Sequence, residues 1–360
     1  MAQYAWETIN ESLRRSIQDG GLPPGTRLPT EAEVARDWGV SRMTAHRAMR
    51  ALQAEGLVER RPRTGTVVAQ RNGLRNVAVL AYDPGQYPQV NYLQGIADAL
   101  PPDCALRPFD TADSPRREAE ALRSLVGRVD GIVLYATGVA ENAEVLLEVA
   151  SQVPLVCVDR LPDGVDVDAV VTDERSSCLE GLRLLTDAGH TRIAHFTEDI
   201  LYLSSSRGRL DAYLETLARV GQLGTQWMRV FGGRGRTSFD ELTDGIYGAL
   251  DTMLRSPEPP TAAFCVHDHY LAATLASLDR LGNRVPSGFG LLSVNDSPRL
   301  PVLGLDRVHR IVPRTLEMGR LAVGRLAARV AEPNLPTEVV RLSSHIHPAR
   351  SLAPTPTNEG

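Results

Sequence analysis

Lysine is missing from all 360 residues, so every one of the 39 side chains counted as lysine or arginine is an arginine. A chain without lysine cannot hold an aldehyde cofactor as a Schiff base, and it lacks the GK[ST] phosphate loop. Cysteine is nearly as scarce: Cys104, Cys157, Cys178 and Cys265 stand far apart with no CxxC pair. That spacing predicts buried free thiols, not a disulfide frame or a zinc site. No run approaches the roughly 18 consecutive apolar residues of a membrane span, and the first residues show no basic-then-apolar leader. These absences predict a cytoplasmic protein with no membrane partner. GxSxG, HExxH and a GxGxxG behind a strand are absent too, so no catalytic site is expected. The 8 histidines are scattered, and the pairs His267/His269 and His345/His347 lack further ligands nearby, so no metal or other cofactor is expected.

What is present is an ordinary globular composition, 42% hydrophobic and 23% charged, over a length that suits two or three domains. The net charge of −5 is unevenly spread. Residues 1–70 carry 10 arginines against 8 acids, and the rest carries 29 against 36. Between Arg42 and Arg63, six arginines face only Glu55 and Glu59. An acidic body with one basic patch suits a protein that touches nucleic acid with one end.

Trp6, Ile9, Leu13 and Ile17 recur at helical spacing, and the helix they predict stops at Gly20-Gly21. "GLPPGTRLP" is a turn-rich segment, after which Thr30 and Glu33 form a capping box for a second helix with Val34 and Trp38 inward. Ser41 caps a third helix running to about Glu55, with Ala45, Ala48 and Leu52 on one face. Arg42, His46 and Arg50 share another face, with Arg47 beside them. Two helices joined by the tight "WGVS" turn, the second basic outside, make a helix-turn-helix. Arginine near the start of such a helix can bond guanine edges in the major groove, while Ser41, Thr44 and the helix N-terminus suit phosphates. "LVERRPRTGTVVA" reads as two short strands around a turn, a wing with Arg61, Arg63, Thr64 and Gly65 at its tip.

The stretch "PPGTRLPTEAEVARDWGVSRMTAHRAMRALQAEGLVERRPRTGTVV" resembles the winged helix of the GntR family of bacterial transcription regulators, and "SRMTAHRAMRAL" is similar to its HutC-type branch. The resemblance implies DNA contacts at Arg42, Thr44 and the wing near Gly65. With the helix-turn-helix reading, the candidate DNA-contacting set is Thr30, Ser41, Arg42, Thr44, His46, Arg47, Arg61, Arg63, Thr64 and Gly65. Two positions depart from the family: Ala32 stands where arginine is frequent, as does His46.

From Asn76 the texture becomes α/β. "NVAVLAY", "GIVLY", "LVCVD", "RIAHF", "AAFCV" and "GLLSV" are short apolar runs, each followed by a helical or loop segment, which predicts parallel sheets in one large or two smaller units. Ligands of such sheets bind beyond the carboxyl ends of the strands. The candidates there are Tyr82, Asp83, Tyr135, Asp159, Arg160, His267, Asp268 and Asn295. Their polar, aromatic and charged side chains suit a ligand with many hydroxyls.

"VCVDRLPDGVDVDAVVTDERSSCLEGLRLLTDAGHTRIAHF", "SSSRGRLDAYLETLARVG", "PTAAFCVHDHYLAATLASLDRLGNRVP" and "GLLSVND" resemble the effector domain of the lactose and galactose repressor family. The resemblance implies a periplasmic-binding-protein type I fold: two lobes, three crossovers, and a small molecule between them. It adds Arg209 as a ligand-gripping arginine, with Ser205 one helical turn before it. His267, Asn295 and Ala212 depart from the family pattern.

The expected organisation is a winged helix at 1–69, a linker at 70–75, an effector domain at 76–350 and a flexible tail at 351–360. The first lobe is expected to take about 76–160 and 310–335, and the second about 161–309 and 336–350. The combination is similar to regulators of the arabinose-repressor type. It implies a homodimer on a palindromic operator in double-stranded DNA, controlled by a small effector, a sugar or sugar derivative. A solute receptor with no DNA role is the second reading.

Overall fold

The computed structural model describes residues 2–18, 21–23, 25–62, 64–69, 73–84, 88–199, 203–222, 224–232, 237–282, 288–295 and 308–349. Arg63, linker residues 70–72 and the expected tail 351–360 lie outside them.

The first helix, α1 (Ala2–Gln18), turns Ile9 fully inward. The second, α2 (Glu31–Asp37), starts at Thr30, whose hydroxyl accepts from the Glu33 amide while the Glu33 carboxylate takes the Thr30 amide at 2.7 Å. The third, α3 (Arg42–Ala54), is capped by Ser41 and buries Ala45, Ala48, Met49 and Leu52. Strands β1 (Val58–Arg61) and β2 (Gly65–Val68) pair antiparallel as the wing, and Gly65 at its turn has φ +94°, a conformation side chains disfavour. Trp38, expected inside, is 42% exposed. It forms the C-cap of α2, Gly39 turns the chain with φ +63°, and Val40 packs on the core instead.

The rest of the chain builds two six-stranded sheets. The first contains β3 (Asn76–Ala81), β4 (Ala105–Asp110), β5 (Gly131–Leu134), β6 (Leu155–Val158), β7 (Asp168–Thr172) and β13 (Val339–Leu342), all parallel, in the order β13-β7-β6-β5-β3-β4. Its helices are α4 (Gln89–Ala99), α5 (Pro115–Leu125), α6 (Ala143–Ala150) and α11 (Thr315–Ala331). The second contains β8 (Ile193–Glu198), β9 (Met228–Phe231), β10 (Ala262–Cys265), β11 (Gly290–Val294) and β12 (His309–Val312) in parallel. Strand β14 (His345–His347) closes it antiparallel to β12. Its helices are α7 (Glu174–Asp187), α8 (Ser204–Arg219), α9 (Phe239–Leu254) and α10 (Asp268–Leu281). Strands β5, β6, β10 and β11 are buried along their whole length, as parallel strands covered on both faces must be.

The chain passes between the sheets three times: at Asp173 between β7 and α7, at 313–314 between β12 and α11, and at 343–344 between β13 and β14. This corrects the expected lobe boundaries. Residues 161–172 and β13 belong with the first sheet, and β12 with the second. Pro162-Asp163-Gly164 turns the chain from β6 toward β7 within the first sheet. Strand β7 opens with a buried Asp168, bonded by Arg325 Nε at 2.8 Å, Arg329 Nε at 2.9 Å and the Glu338 amide at 2.9 Å. No apolar run announces such a strand.

Helices α4 and α11 lie unusually close. A Cβ on Gly95 would fall 1.9 Å from the Leu316 carbonyl oxygen, and one on Gly319 would fall 2.4 Å from that of Tyr92. This contact fixes Tyr92, which reaches the cleft between the lobes. The four cysteines are free, with Cys157, Cys178 and Cys265 buried. Among the described residues no helix is long and apolar enough to cross a membrane.

Candidate nucleic-acid interface and effector cleft

The outward side of α3 divides into groups that are held and groups that are free. His46 Nδ1 lies 3.0 Å from Glu31 Oε1, and the Arg47 guanidinium sits 4.4 Å above the Trp6 ring. Both side chains, expected at DNA, are drawn into contacts with α2 and α1. Ser41 and Thr30 act as caps, and the Ser41 and Thr44 hydroxyls are bonded to each other at 2.8 Å. Arg42 and Arg50 are exposed and make no ion pair with the described residues. Met43 is 76% exposed between Arg42 and Thr44, an apolar group on a polar face that the residue pattern did not single out. On the wing, Thr64 is exposed, while Arg61 is bonded by Glu59 at 2.7 Å.

The expected effector residues gather at the carboxyl ends of strands from both sheets. Asp83 after β3, Asp159 after β6 and Asn295 after β11 have φ of 43°, 64° and 73°. Aspartate and asparagine tolerate this left-handed region, and it turns each chain end sharply out of its sheet.

On the first lobe, Arg160 stacks over Tyr135 at 4.4 Å and Tyr82 at 5.5 Å. Its charge is balanced by Asp113 at 3.8 Å and Asp159 at 3.9 Å, too far for hydrogen bonds. Arg160 Nε and Nη1 are buried with no acceptor among the described residues. A buried guanidinium with unmade hydrogen bonds is costly unless something else supplies oxygens. The Tyr92 hydroxyl donates to Asp159 at 2.9 Å, and burial, with that carboxylate beside it, pushes the Tyr92 phenol well above its ordinary value.

On the second lobe, Arg209 makes a buried fork with Glu174, Nε at 3.0 Å and Nη2 at 2.7 Å, and its Nη1 donates to the Val266 carbonyl at 3.0 Å. Three of its five N–H groups are thereby engaged. Burial raises the Glu174 carboxyl against the opposing pull of Arg209. Ser205 is buried in the first turn of α8. His267 caps α10, its Nδ1 accepting from the His269 amide while Nε2 bonds Glu198. Although burial raises the Glu198 carboxyl, the pull of His267, Arg160 and Arg209 leaves it lowered. Asp268 lies 3.7 Å from His267 Nδ1. A cavity of about 500 Å³ flanks this region beside the first crossover, lined by Asp159 and Thr172 from one lobe and Glu174, Ser204, Ser205 and Gly208 from the other.

Tyr92, Asp113, Glu174 and Glu198 bond or pair with the expected residues Asp159, Arg160, Arg209 and His267, and none of the four was itself expected there. Glu198 ends β8 and follows the same strand-end rule as its neighbours. Tyr92, Asp113 and Glu174 carry no such signal.

Residues 5–68 match the model of the bacterial regulatory proteins of the gntR family, and residues 182–352 match the periplasmic binding protein-like domain. The chain is a transcription regulator built from these two modules. It is 28% identical over 250 residues to the HTH-type transcriptional regulator KdgR of Bacillus subtilis, a match covering 68% of this chain and 70% of that protein. It is 25% identical to the ribose operon repressor of Haemophilus influenzae, over 62% of this chain and 64% of that protein, so the match spans slightly under two thirds of that relative. Among solved structures, CcpA of Lactococcus lactis superposes with a TM-score of 0.66 at 18% identity, over 78% of this chain and 99% of that one. A CelR–cellobiose complex superposes at 0.62 with 21% identity, over 90% of this chain and all of that one.

Proposed function

We propose that this regulator is a cytoplasmic homodimeric repressor that binds a palindromic operator and is released by a neutral, polyhydroxylated effector. On the DNA side, Arg42 reads a base edge in the major groove, Ser41, Thr44 and the start of α3 meet phosphates, and Thr64 and Gly65 bring the wing to the sugar-phosphate chain. On the effector side, Tyr82, Tyr135, Asp159 and Arg160 face Ser205, Arg209, His267 and Asn295 across the cleft.

The observation that carries the effector class is the state of the two cleft arginines. Arg209 is bound by Glu174, and Arg160 is charge-balanced by Asp113 and Asp159 yet short of hydrogen bonds. A hydroxyl-rich neutral molecule supplies oxygens to Arg160 and donors to the carboxylates without adding negative charge. The name of the CelR–cellobiose complex supports a sugar in this fold.

Thermal unfolding against neutral sugars, sugar acids and sugar phosphates tests this reading. A ligand at 100 times its dissociation constant adds about 2.7 kcal/mol. Stabilisation by a neutral sugar that also releases operator DNA supports the proposal, and stabilisation only by an acid or phosphate overturns the effector class. Removal of residues 1–70 separates the receptor reading, since a regulator then loses its DNA activity.

A further inference from the structure

We propose that Arg27 belongs to the DNA interface as a phosphate contact carried along the wing; this rests on the wing meeting DNA. Neither the candidate DNA residues nor the family likeness assigns it a role. Residues 25–28 lie as a third strand against β2. The Gly25 amide donates to Val68 at 2.9 Å, the Val68 amide to Thr26 at 2.8 Å, and the Leu28 amide to Thr66 at 2.9 Å. This register sets Arg27 opposite Val67, with Gly65 its diagonal neighbour toward the turn. Arg27 Nε lies 3.6 Å from the point a Cβ on Gly65 would occupy. The guanidinium therefore reaches the wing tip across a residue with no side chain, while the next residue, Leu28, anchors the strand in the core.

Two further features favour Arg27 over Arg61, the expected wing-tip cation that lies among the described residues. Arg61 is tied to Glu59 by Nε at 2.7 Å and Nη2 at 2.6 Å, so it must break an ion pair before it can meet a phosphate. Arg27 is exposed and makes no ion pair with the described residues. Its field reaches Glu33 in the first turn of α2, a turn whose charges are Glu31 and Glu33. Where α2 and the wing approach DNA, Arg27 offsets carboxylates that would repel phosphate. Position 32, where the family often has arginine, is Ala32 here, so this turn has no cation of its own.

The test uses the full chain, an operator selected from random-sequence DNA and an unrelated duplex, with binding measured across a salt series. Arg27→Ala should weaken binding to both duplexes and reduce the slope of log affinity against log salt by about 1. Arg27→Lys should keep most of that slope, and Arg61→Ala should change it less than Arg27→Ala does. Thr64→Glu places negative charge at the wing tip as a control. If Thr64→Glu weakens binding while Arg27→Ala leaves affinity and slope unchanged, the Arg27 assignment fails alone. If neither variant changes binding, the wing does not meet DNA and both readings fall. Unfolding midpoints matching the parent protein exclude misfolding as the cause.

Discussion

The Arg47 guanidinium carbon lies 4.4 Å from the centre of the Trp6 ring, so the first and third helices are tied by a cation–π contact on the face that was expected to read DNA. Such a contact contributes about 0.5–1 kcal/mol where exposed. Arg47→Ala should therefore lower the stability of the winged helix by about that amount in urea unfolding and weaken operator binding less than Arg42→Ala does. Equal loss of affinity from both substitutions would return Arg47 to the DNA surface.

Arg42 has no competing partner among the described residues. Arg42→Ala should cost about 1–3 kcal/mol on cognate DNA and relax base preference at one position of each half-site. Uniform weakening across operator variants would make Arg42 a phosphate contact instead.

Arg160 gives a cleaner probe of the cleft than Arg209. Arg209→Ala would leave Glu174 buried without its cation, a loss of about 3–5 kcal/mol, so failure to respond would be confounded by unfolding. Arg160→Gln keeps polar reach without the charge. It should abolish the effector-dependent thermal shift while operator affinity stays within about twofold of the parent, a difference below roughly 0.5 kcal/mol. A variant that still responds normally would remove Arg160 from the site.

Asp168 holds α11 to the first sheet through Arg325 and Arg329. Asp168→Ala leaves two cations around an empty acceptor site and should destabilise the effector domain by about 3–5 kcal/mol in chemical denaturation. A cost under about 1 kcal/mol, the range of a surface pair, would show that the arginines find water.

His195 is fully buried between Phe264 and Tyr213, and burial drops its pKa from 6.5 to about 4. Between those values the unfolded chain binds a proton that the folded chain refuses, so stability falls as pH drops through 6.5 and levels off below about 4. From pH 7 to 5 this one ring should account for about 2 kcal/mol, and buried His190 and His309 act in the same direction. His195→Phe should flatten that part of the stability–pH curve. An unchanged slope would mean that other groups carry it.

Much of this architecture was legible in the residues. The capping box at Thr30, the turn before Ser41 and the glycine at position 65 each demand one local geometry, and the structure has all three. Six strands announced themselves as apolar runs because they are buried on both faces. The others did not. Strand β4 contains Pro108 and lies at a sheet edge with most side chains in water, β9 is a half-buried edge, and β7 begins with a charge whose partners are about 160 residues away in sequence. The strand-end rule named Tyr82, Tyr135, Asp159 and Arg160, which the structure gathers into one cluster. It could not find Glu174, which opens α7 and matters because Arg209 grips it, nor the loop residue Asp113.

The three passages between sheets also set an order of completion. The first lobe leaves its sheet open at β7 until β13, some 170 residues later, is added beside it, and its helix α4 waits for α11 to cover Gly95. On a ribosome that lobe begins first yet closes only after the parallel strands of its neighbour have already emerged. Until then its half-built edge needs shelter from other nascent chains.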